Sequence, residues 1–278
     1  MTATSIEPPA SGYALDPSWY AERDRLAGLT ALYDEASAAF CEQLGVGDGW
    51  RCADVGAGTG SLAQLLADRV APSGRVLAVD LDTRFLEPLR STFLQVEQVD
   101  VTTASLAAGA FDLIHARLLL EHLPQRDAVV HRLVRALAPG GWLLLEDFDW
   151  PTAAIVDPPA PVLARVAHAC RTALESHGYD AEYGRRLPRV LRSAGLIDVH
   201  TRSASAQVWA DPDRGVPQWE LLVAQLRPAL LAPHLLTAAD LAAFAALCHD
   251  GDSVFFAPLM VSCAGRKPPT PSNTSDAS

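Results

Sequence analysis

The feature that most limits the fold is a glycine-rich turn, Asp54-Val55-Gly56-Ala57-Gly58-Thr59-Gly60, which follows an apolar run. A second apolar run, Val76-Leu77-Ala78-Val79, ends in Asp80. Alternate glycines let the backbone turn sharply from a strand into a helix, and they let a ligand lie against bare peptide because no Cβ intervenes. An acid at the end of the next strand is placed to bind the two hydroxyls of a ribose. Together these features predict a nucleoside-type cofactor site in an open α/β sheet.

A plainer interpretation gives the glycines the role of a tight turn and lets Asp80 cap a helix that starts near Thr83. For an isolated motif this interpretation would be preferred. Here, however, the acid and the glycines are expected at the carboxyl ends of adjacent parallel strands, where open α/β sheets bind their ligands. The prediction of a cofactor site therefore stands.

The spacing of the glycines distinguishes between two classes of cofactor. The dinucleotide fingerprint is G-x-G-x-x-G. Gly56 and Gly58 fit its first two glycines, but its third falls on Ser61, and Gly60 comes one residue early. The order D-x-G-x-G-x-G followed by Asp80 resembles instead the class I S-adenosylmethionine-dependent methyltransferases.

Three later segments continue this resemblance, in the order and spacing of that family. Val99-Asp100-Val101 resembles the element that holds the adenine, and the segment 111–117 resembles the fourth strand with the loop under the cofactor. The segment 137–146 resembles the turn L-x-P-G-G into the fifth strand. The match covers residues 45–150. It implies an α/β fold with a doubly wound, seven-stranded, mostly parallel sheet, which is Rossmann-like and carries helical lid insertions.

The resemblance also implies which residues hold S-adenosylmethionine before the reaction and S-adenosylhomocysteine after it. The glycine loop approaches the amino-acid and ribose portions, Asp80 takes the ribose hydroxyls, and Val101 donates a backbone N–H to the adenine ring. Arg25 or Tyr20 is expected to hold the cofactor carboxylate. The full set of predicted cofactor-binding residues is Tyr20, Arg25, Asp54, Gly56, Ala57, Gly58, Asp80, Leu81, Asp100, Val101, His115, Ala116 and Arg117.

Charge and composition restrict the partners. The formal net charge is -11 and there is no basic run, so we expect no nucleic-acid partner. There is no apolar stretch long enough for a transmembrane helix and no secretory signal pattern, so we expect a cytoplasmic protein without a membrane partner. The five cysteines are widely spaced and form no C-x-x-C pair, which predicts reduced thiols and no bound metal. The oligomeric state stays open, with a homodimer as one option.

Periodicity and composition divide the chain into regions. The predicted regions are a disordered N-terminus at 1–12, a helical lid at 13–45, an S-adenosylmethionine-binding core at 46–150, the remaining strands with helical substrate-cap insertions at 151–265, and a disordered tail at 266–278. In the fourth region, Ile197 to Trp209 and Ser253 to Ala264 are predicted as two long strands, with two helices between them.

The sequence names few candidates for catalysis. Methyl transfer from a sulfonium requires a protein to align a nucleophile, exclude water and, where needed, remove a proton. His115, at the predicted end of strand four, is one candidate base, with a histidine that bonds only backbone as the alternative. Asp147 and Asp149, at the end of strand five, are candidates for a base or a substrate anchor, with an acid that caps the sheet as the alternative.

Several methyltransferase subclasses carry motifs that are absent here. The segment after strand four, His115-Ala116-Arg117-Leu118, is not the N/D-P-P-Y/F of enzymes that methylate nucleic-acid bases, and its first acid, Glu121, comes late for a magnesium site. A metal-independent small-molecule methyltransferase remains. The predicted lid is rich in Ala, Leu and Pro and carries aromatic residues, which suits an aromatic or apolar acceptor, and the chain resembles small-molecule methyltransferases of natural-product pathways. Oxygen is favoured as the methylated atom only by its frequency in the family. The alternative is a protein that binds the same cofactor and catalyses a cyclisation or rearrangement without methyl transfer.

Overall fold

The computed structural model describes residues 15–270. The predicted disordered N-terminus and residues 271–278 of the predicted tail lie outside the described residues. The helices are α1 (Glu22–Gln43), α2 (Ser61–Val70), α3 (Arg126–Ala136), α4 (Pro161–Glu175), α5 (Tyr183–Ser193), α6 (Pro217–Leu231) and α7 (Ala238–Cys248). The strands are β1 (Arg51–Val55), β2 (Arg75–Asp80), β3 (Leu94–Gln98), β4 (Phe111–Arg117), β5 (Leu137–Asp149), β6 (Val156–Asp157), β7 (Ile197–Ala204), β8 (Gln207–Trp209), β9 (Val254–Phe256) and β10 (Leu259–Arg266).

Seven of these strands form one twisted sheet in the order β3-β2-β1-β4-β5-β10-β7. All neighbouring pairs are parallel except those of β10, which runs antiparallel to both β5 and β7. The chain winds outward in one direction from β1 to β3 and in the other from β4 onward. This places a topological switch point between β1 and β4, where open α/β sheets bind ligands. The predicted seven-stranded, mostly parallel fold is thus confirmed.

Side chains of the central strands supply two cores, one on each face of the sheet. Cys52 and Leu144 pack with α2 on one face, whereas Ala53, Val55 and Leu145 pack with α3 and α5 on the other. Neighbouring residues of a strand point to opposite faces, so strands covered on both faces are apolar throughout. This explains why the sequence shows continuous apolar runs that end at Val55 and Val79.

The two long strands predicted near the end of the chain are each divided in two, which corrects the sequence prediction. The segment 197–209 breaks after Ala204, and the segment 253–264 breaks at Ala257 and Pro258. Proline has no N–H to donate to a strand ladder, and at this point the Ala257 N–H turns instead to the carbonyl of Ala206. The parts of the two predicted strands that do not join the main sheet are β8 and β9. They pair with β6 in a separate sheet with the order β6-β9-β8.

That small sheet forms a cap over the main sheet together with α4, α6 and α7. The cap has its own core, in which Trp150, Trp219, Phe244 and Phe255 are buried. Helix α1 packs against α6, so the predicted N-terminal helical lid lies beside the cap. After β2, the chain forms a single helical turn at Glu87–Leu89, not a longer helix that starts near Thr83. Among residues 15–270, no helix combines the length and the apolar character needed to cross a bilayer.

Candidate functional site

The glycine loop between β1 and α2 forms a shallow cradle at the switch point of the sheet. Gly58 has φ of +56° and Gly60 has φ of +78°, a region that side chains with a Cβ rarely adopt. A Cβ on Gly60 would lie 2.5 Å from Leu89 Cδ1, so this glycine permits close packing under the loop. A Cβ on Gly58 would make an ordinary van der Waals contact with Leu26 at 3.7 Å, and Gly58 lines the adjoining cavity. The loop thus offers bare backbone at its open side.

Asp80 ends β2 beside this loop, in the position that the sequence predicted. The Gly58 N–H donates to Asp80 Oδ2 at 2.9 Å and the Asp82 N–H donates to Oδ1 at 3.1 Å. Burial raises the pKa of the Asp80 carboxyl, which these backbone bonds partly oppose. Each carboxylate oxygen accepts one backbone N–H and keeps further acceptor capacity. The carboxylate can therefore bind two neighbouring hydroxyls, which fits a ribose.

Asp100 lies in the turn after β3, on the same side of the sheet. Its Oδ1 accepts from the Thr102 hydroxyl at 2.6 Å and from the Thr102 N–H at 2.8 Å. The hydroxyl bond is the main reason why the pKa of Asp100 is lowered. Because both bonds go to one oxygen, the second oxygen keeps its acceptor capacity for a donor such as the adenine amino group.

A single cavity of about 850 Å³ joins these groups to the underside of α1 and of the cap. Its volume lies within the range of sites for drug-sized ligands. The predicted cofactor residues that line it are Arg25, Asp54, Gly56, Ala57, Gly58, Asp80, Leu81, Asp100, Val101, His115 and Arg117. From α1 come Glu22, Arg25, Leu26 and Leu29, whose spacing places them on one face of the helix.

Two predicted cofactor residues do not line this cavity. Tyr20 is 90% exposed and stacks edge-on against Trp19 ahead of the first turn of α1. Ala116 is buried within β4, where its side chain points to the face opposite those of His115 and Arg117. The structure thus gives no support to either assignment, and of the two residues predicted to hold the cofactor carboxylate only Arg25 lines the cavity.

His115 lies at the centre of a buried charged triad beneath the glycine loop. Its Nδ1 is 2.7 Å from Asp54 Oδ1, and its Nε2 is 2.9 Å from Glu146 Oε2. The hydroxyls of Ser37, on α1, and Ser262, on β10, both donate to the Glu146 carboxylate. The triad thus connects three central strands of the sheet with the leader helix.

The two carboxylates that flank His115 favour its protonated form, which does not suit the predicted general base. Burial alone would lower the pKa of His115, but hydrogen bonds to Asp54 and Glu146 outweigh it and raise the pKa to about 9. Burial would likewise raise the pKa of Glu146, but the bond from His115 lowers it to about 2. Both ring nitrogens of the imidazolium are donors to carboxylates. These contacts place His115 so that it orients the Asp54 carboxylate, and its catalytic role stays a prediction.

The triad predicts a specific pH dependence of stability. The pKa of His115 rises from 6.5 to about 9 on folding, so its contribution is complete below pH 6.5 and disappears as pH rises through 9. The pKa of Glu146 falls from 4.5 to about 2, so its contribution is complete above pH 4.5 and disappears as pH falls towards 2.

As the pH rises from below 6.5 to above 9, we expect the free energy of unfolding to decrease by on the order of 3 kcal/mol. Urea titrations at a series of pH values measure this decrease. The variant His115→Gln should remove most of it, because an amide does not titrate. A variant that kept the full alkaline decrease would assign it to other groups.

The two acids predicted to touch substrate, Asp147 and Asp149, also lie elsewhere. Residues of β5 alternate between faces, so Phe148 lines the cavity while its two acidic neighbours point away. Asp147 is 1% exposed and accepts from the Glu121 N–H, and Asp149 is 8% exposed and lies 2.7 Å from Arg185 of α5. Neither acid is among the cavity-lining residues, so the structure does not support the prediction that they act as bases or anchors.

The far end of the cavity is formed by residues that sequence analysis did not assign to the site. Trp150 Nε1 donates to the Tyr179 hydroxyl at 2.5 Å, and the Tyr179 ring packs 4.8 Å from the His122 ring, centre to centre. Burial raises the pKa of Glu121 to about 8 and lowers that of His122 to about 3, where Arg25 and Arg126 add to the effect. Burial thus favours the uncharged forms of Glu121 and His122 beside the aromatic rings at this end of the cavity.

The two arginines of the cavity wall each pair with an acid. Arg25 Nη2 lies 2.6 Å from Glu22 Oε1, and both side chains are buried. Arg117 Nη2 lies 2.6 Å from Asp34 Oδ1, and its Nη1 donates to the Ser37 hydroxyl. The Arg117 contacts attach α1 to the end of β4, whereas the Arg25–Glu22 pair lies within α1. Within the described part of the chain, no group of three or more His, Cys, Asp or Glu side chains is arranged so that it could hold a metal ion.

Comparison with known proteins shows which family the central part of the chain is similar to. Residues 52–141 match the family described as "Methyltransferase domain". The chain is 34% identical over 162 residues to methyltransferase str2 of Strobilurus tenacellus, an alignment that covers 58% of this chain and 58% of that protein. The chain thus spans less than two thirds of that relative.

Solved structures agree on the fold. The YcgJ protein of Bacillus subtilis superposes with a TM-score of 0.57 at 16% identity, over 85% of this chain and 100% of that chain. The cyclase SpnF superposes with a TM-score of 0.50 at 20% identity, over 85% of this chain and 81% of that chain. At these identities the likeness concerns the fold alone.

Proposed function

We propose that this chain is a class I S-adenosylmethionine-dependent methyltransferase that transfers a methyl group to a small-molecule acceptor, which its similarity to the methyltransferase domain family and to methyltransferase str2 supports. The cofactor of this domain is S-adenosylmethionine. The observation that carries the proposal is the single cavity that runs from the Gly58 and Asp80 cradle to an aromatic end under the cap. One continuous space can hold both reactants.

The chain's residues fit the cofactor's polar groups. Asp80 would bind the ribose hydroxyls, Asp100 the adenine amino group, and the backbone of Gly56 and Gly58 would approach the amino-acid portion. Asp54, oriented by His115 at 2.7 Å, offers a carboxylate towards the cationic part of the ligand. Bound S-adenosylmethionine supplies a methyl group that is already activated on a sulfonium.

The remaining task of the protein is alignment and exclusion of water. Leu26 and Leu29 of α1 close one side of the cavity, and Trp150 and Tyr179 close the other. Enclosure by apolar groups holds an acceptor in line with the reacting centre and keeps water away from it. No metal is needed for such a displacement, which agrees with the proposal of a metal-independent enzyme.

The same surroundings support a neutral apolar or aromatic acceptor, such as a phenolic natural product. Phe148, Trp150 and Tyr179 offer flat apolar surface, and Arg25 is already paired with Glu22. An anionic acceptor would need cationic partners to offset its desolvation. We propose an oxygen atom as the methyl acceptor, and a diffusible small molecule rather than nucleic acid or membrane as the partner. Action in natural-product biosynthesis and in the cytoplasm belongs to the same proposal.

A second candidate is a cyclisation or rearrangement in the same cavity. The likeness in fold to the cyclase SpnF supports this alternative, because the architecture alone does not determine the reaction. An apolar cavity with aromatic walls would suit a folded apolar substrate as well as a phenol.

Product analysis distinguishes the two candidates. We would incubate the protein with methyl-labelled S-adenosylmethionine and a panel of neutral phenols, naphthols and hydroquinones. Methyl transfer adds one CH₂ to the acceptor and forms one S-adenosylhomocysteine for each product molecule. A product with unchanged mass and no S-adenosylhomocysteine would establish the second candidate. Since Trp150 and Tyr179 lie at the acceptor end, Tyr179→Ala should lower turnover while leaving S-adenosylhomocysteine affinity unchanged.

A further inference from the structure

A small apolar recess lies beside the acceptor end of the main cavity. Its volume is about 60 Å³, and it forms where α1, α6 and the small sheet of the cap meet. Leu32 and Tyr33 belong to its wall on the α1 side, and Val208, Phe255 and Ala257 on the side of the small sheet. None of these five residues lines the main cavity.

The recess and the main cavity share one wall. Leu29, Phe148, Trp150, Gln218 and Leu222 line both spaces. The shared wall comes from three separate elements of the chain, namely α1, the end of β5 and α6. The recess therefore lies beside the acceptor end of the main cavity and does not adjoin the glycine loop.

The walls of the recess are almost wholly apolar. Tyr33 and Phe148 pack edge to face with ring centres 5.6 Å apart, and Trp150 and Trp219 do the same at 6.2 Å. Among the described residues that line the recess, Gln218 carries the only amide side chain. A buried water needs two to four polar partners, so an apolar space of this kind stays dry. An apolar ligand group suits it better than water does.

Its size indicates which group would fit. One water-sized group occupies about 10–15 Å³, so a recess of about 60 Å³ has room for a few such groups. Protein interiors are otherwise close-packed, and an empty space destabilises the fold in proportion to its volume. Retention of such a space beside a ligand cavity is what a specificity site requires.

We propose that this recess binds a short apolar substituent of the acceptor, of about four carbon atoms. This proposal rests on the proposed function only in taking the adjoining cavity as the acceptor site. The reacting end of the acceptor would lie near Tyr179, and its substituent would pass between Phe148 and Leu222 into the recess. The preferred acceptors are then apolar or aromatic compounds that carry a small alkyl group, not compact polar metabolites.

Binding of an alkyl series to the full-length protein saturated with S-adenosylhomocysteine tests the proposal. The probes are phenol and its para-ethyl, para-butyl and para-hexyl derivatives, measured by calorimetry. Each buried methylene should raise the affinity about fourfold up to the butyl compound, after which the gain should stop. An affinity that did not depend on chain length, or that rose steadily through the hexyl compound, would overturn the proposal.

Two variants change the recess in opposite directions. Leu32→Ala enlarges it and should extend the gain to the hexyl compound, whereas Ala257→Leu fills it and should end the gain at the ethyl compound. Leu235→Ala, a truncation in the same cap core that lines neither space, should behave like the parent. If both recess variants kept the parental dependence on length, the substituent would bind elsewhere.

The readouts also separate this proposal from the proposed function. Binding to the S-adenosylhomocysteine complex requires no methyl transfer, so the length dependence stands even if the reaction proves to be a cyclisation. Unchanged S-adenosylhomocysteine affinity in both variants shows that they remain folded. If the phenols were methylated but their affinity did not depend on the length of the alkyl group, the methyltransferase proposal would stand and the proposal for the recess would be rejected.

Discussion

Replacement of Asp80 by alanine should weaken S-adenosylhomocysteine binding by about 100-fold or more. The carboxylate would accept two ribose hydroxyls, and a hydrogen bond to a charged group contributes about 1.5–3 kcal/mol. The same side chain accepts the Gly58 N–H at 2.9 Å, so its loss also releases the glycine loop. Calorimetric titration of the purified variant measures the effect directly.

A matched control separates this effect from a general loss of negative charge. Glu97→Ala removes an exposed acid from the neighbouring strand β3 and should leave the affinity unchanged. Melting curves of both variants show whether the fold persists. If Asp80→Ala bound S-adenosylhomocysteine as tightly as the parent, the assignment of the whole cofactor site would be rejected.

Replacement of His115 by alanine should destabilise the fold by about 3–5 kcal/mol. The imidazolium is 2% exposed and lies between Asp54 and Glu146. Its removal leaves two buried carboxylates without their shared partner, and an uncompensated buried charge is strongly unfavourable. At this chain length we expect the melting temperature to fall by roughly 2–4 °C for each kcal/mol.

Further variants test whether charge is the cause. His131→Ala, on the exposed side of α3, should have little effect on the melting temperature. The triple variant that adds Asp54→Asn and Glu146→Gln to His115→Ala should be more stable than His115→Ala alone, because the buried charges are gone. A melting temperature equal to the parent's in His115→Ala would contradict the electrostatic account.

The core of the fold could be predicted because local sequence determines it. The apolar runs before Gly56 and Asp80 identify strands that are covered on both faces. The glycine spacing and the position of Asp80 then predict a site at the strand ends. The charged triad could not be predicted from the sequence because its three members, Asp54, His115 and Glu146, come from three separate strands.

The errors have equally specific causes. Asp147 and Asp149 were selected because they follow strand five, but the alternation of β5 directs them away from the cavity and leaves Phe148 there. The strand breaks at Ala204 and Pro258 were missed because each apolar pattern continues across its break. The wall formed by Tyr179 and Gln218 depends on how the cap packs, which sequence periodicity does not specify.

The most direct test of the account is calorimetric titration of the unmodified protein with S-adenosylmethionine and, in parallel, with NAD. Gly58, Asp80 and Asp100 form a nucleoside site, but the glycine loop lacks the third glycine of the dinucleotide-binding fingerprint. We therefore expect S-adenosylmethionine to bind with micromolar affinity and NAD not to bind. Binding of NAD alone, or of neither ligand, would contradict the central claim.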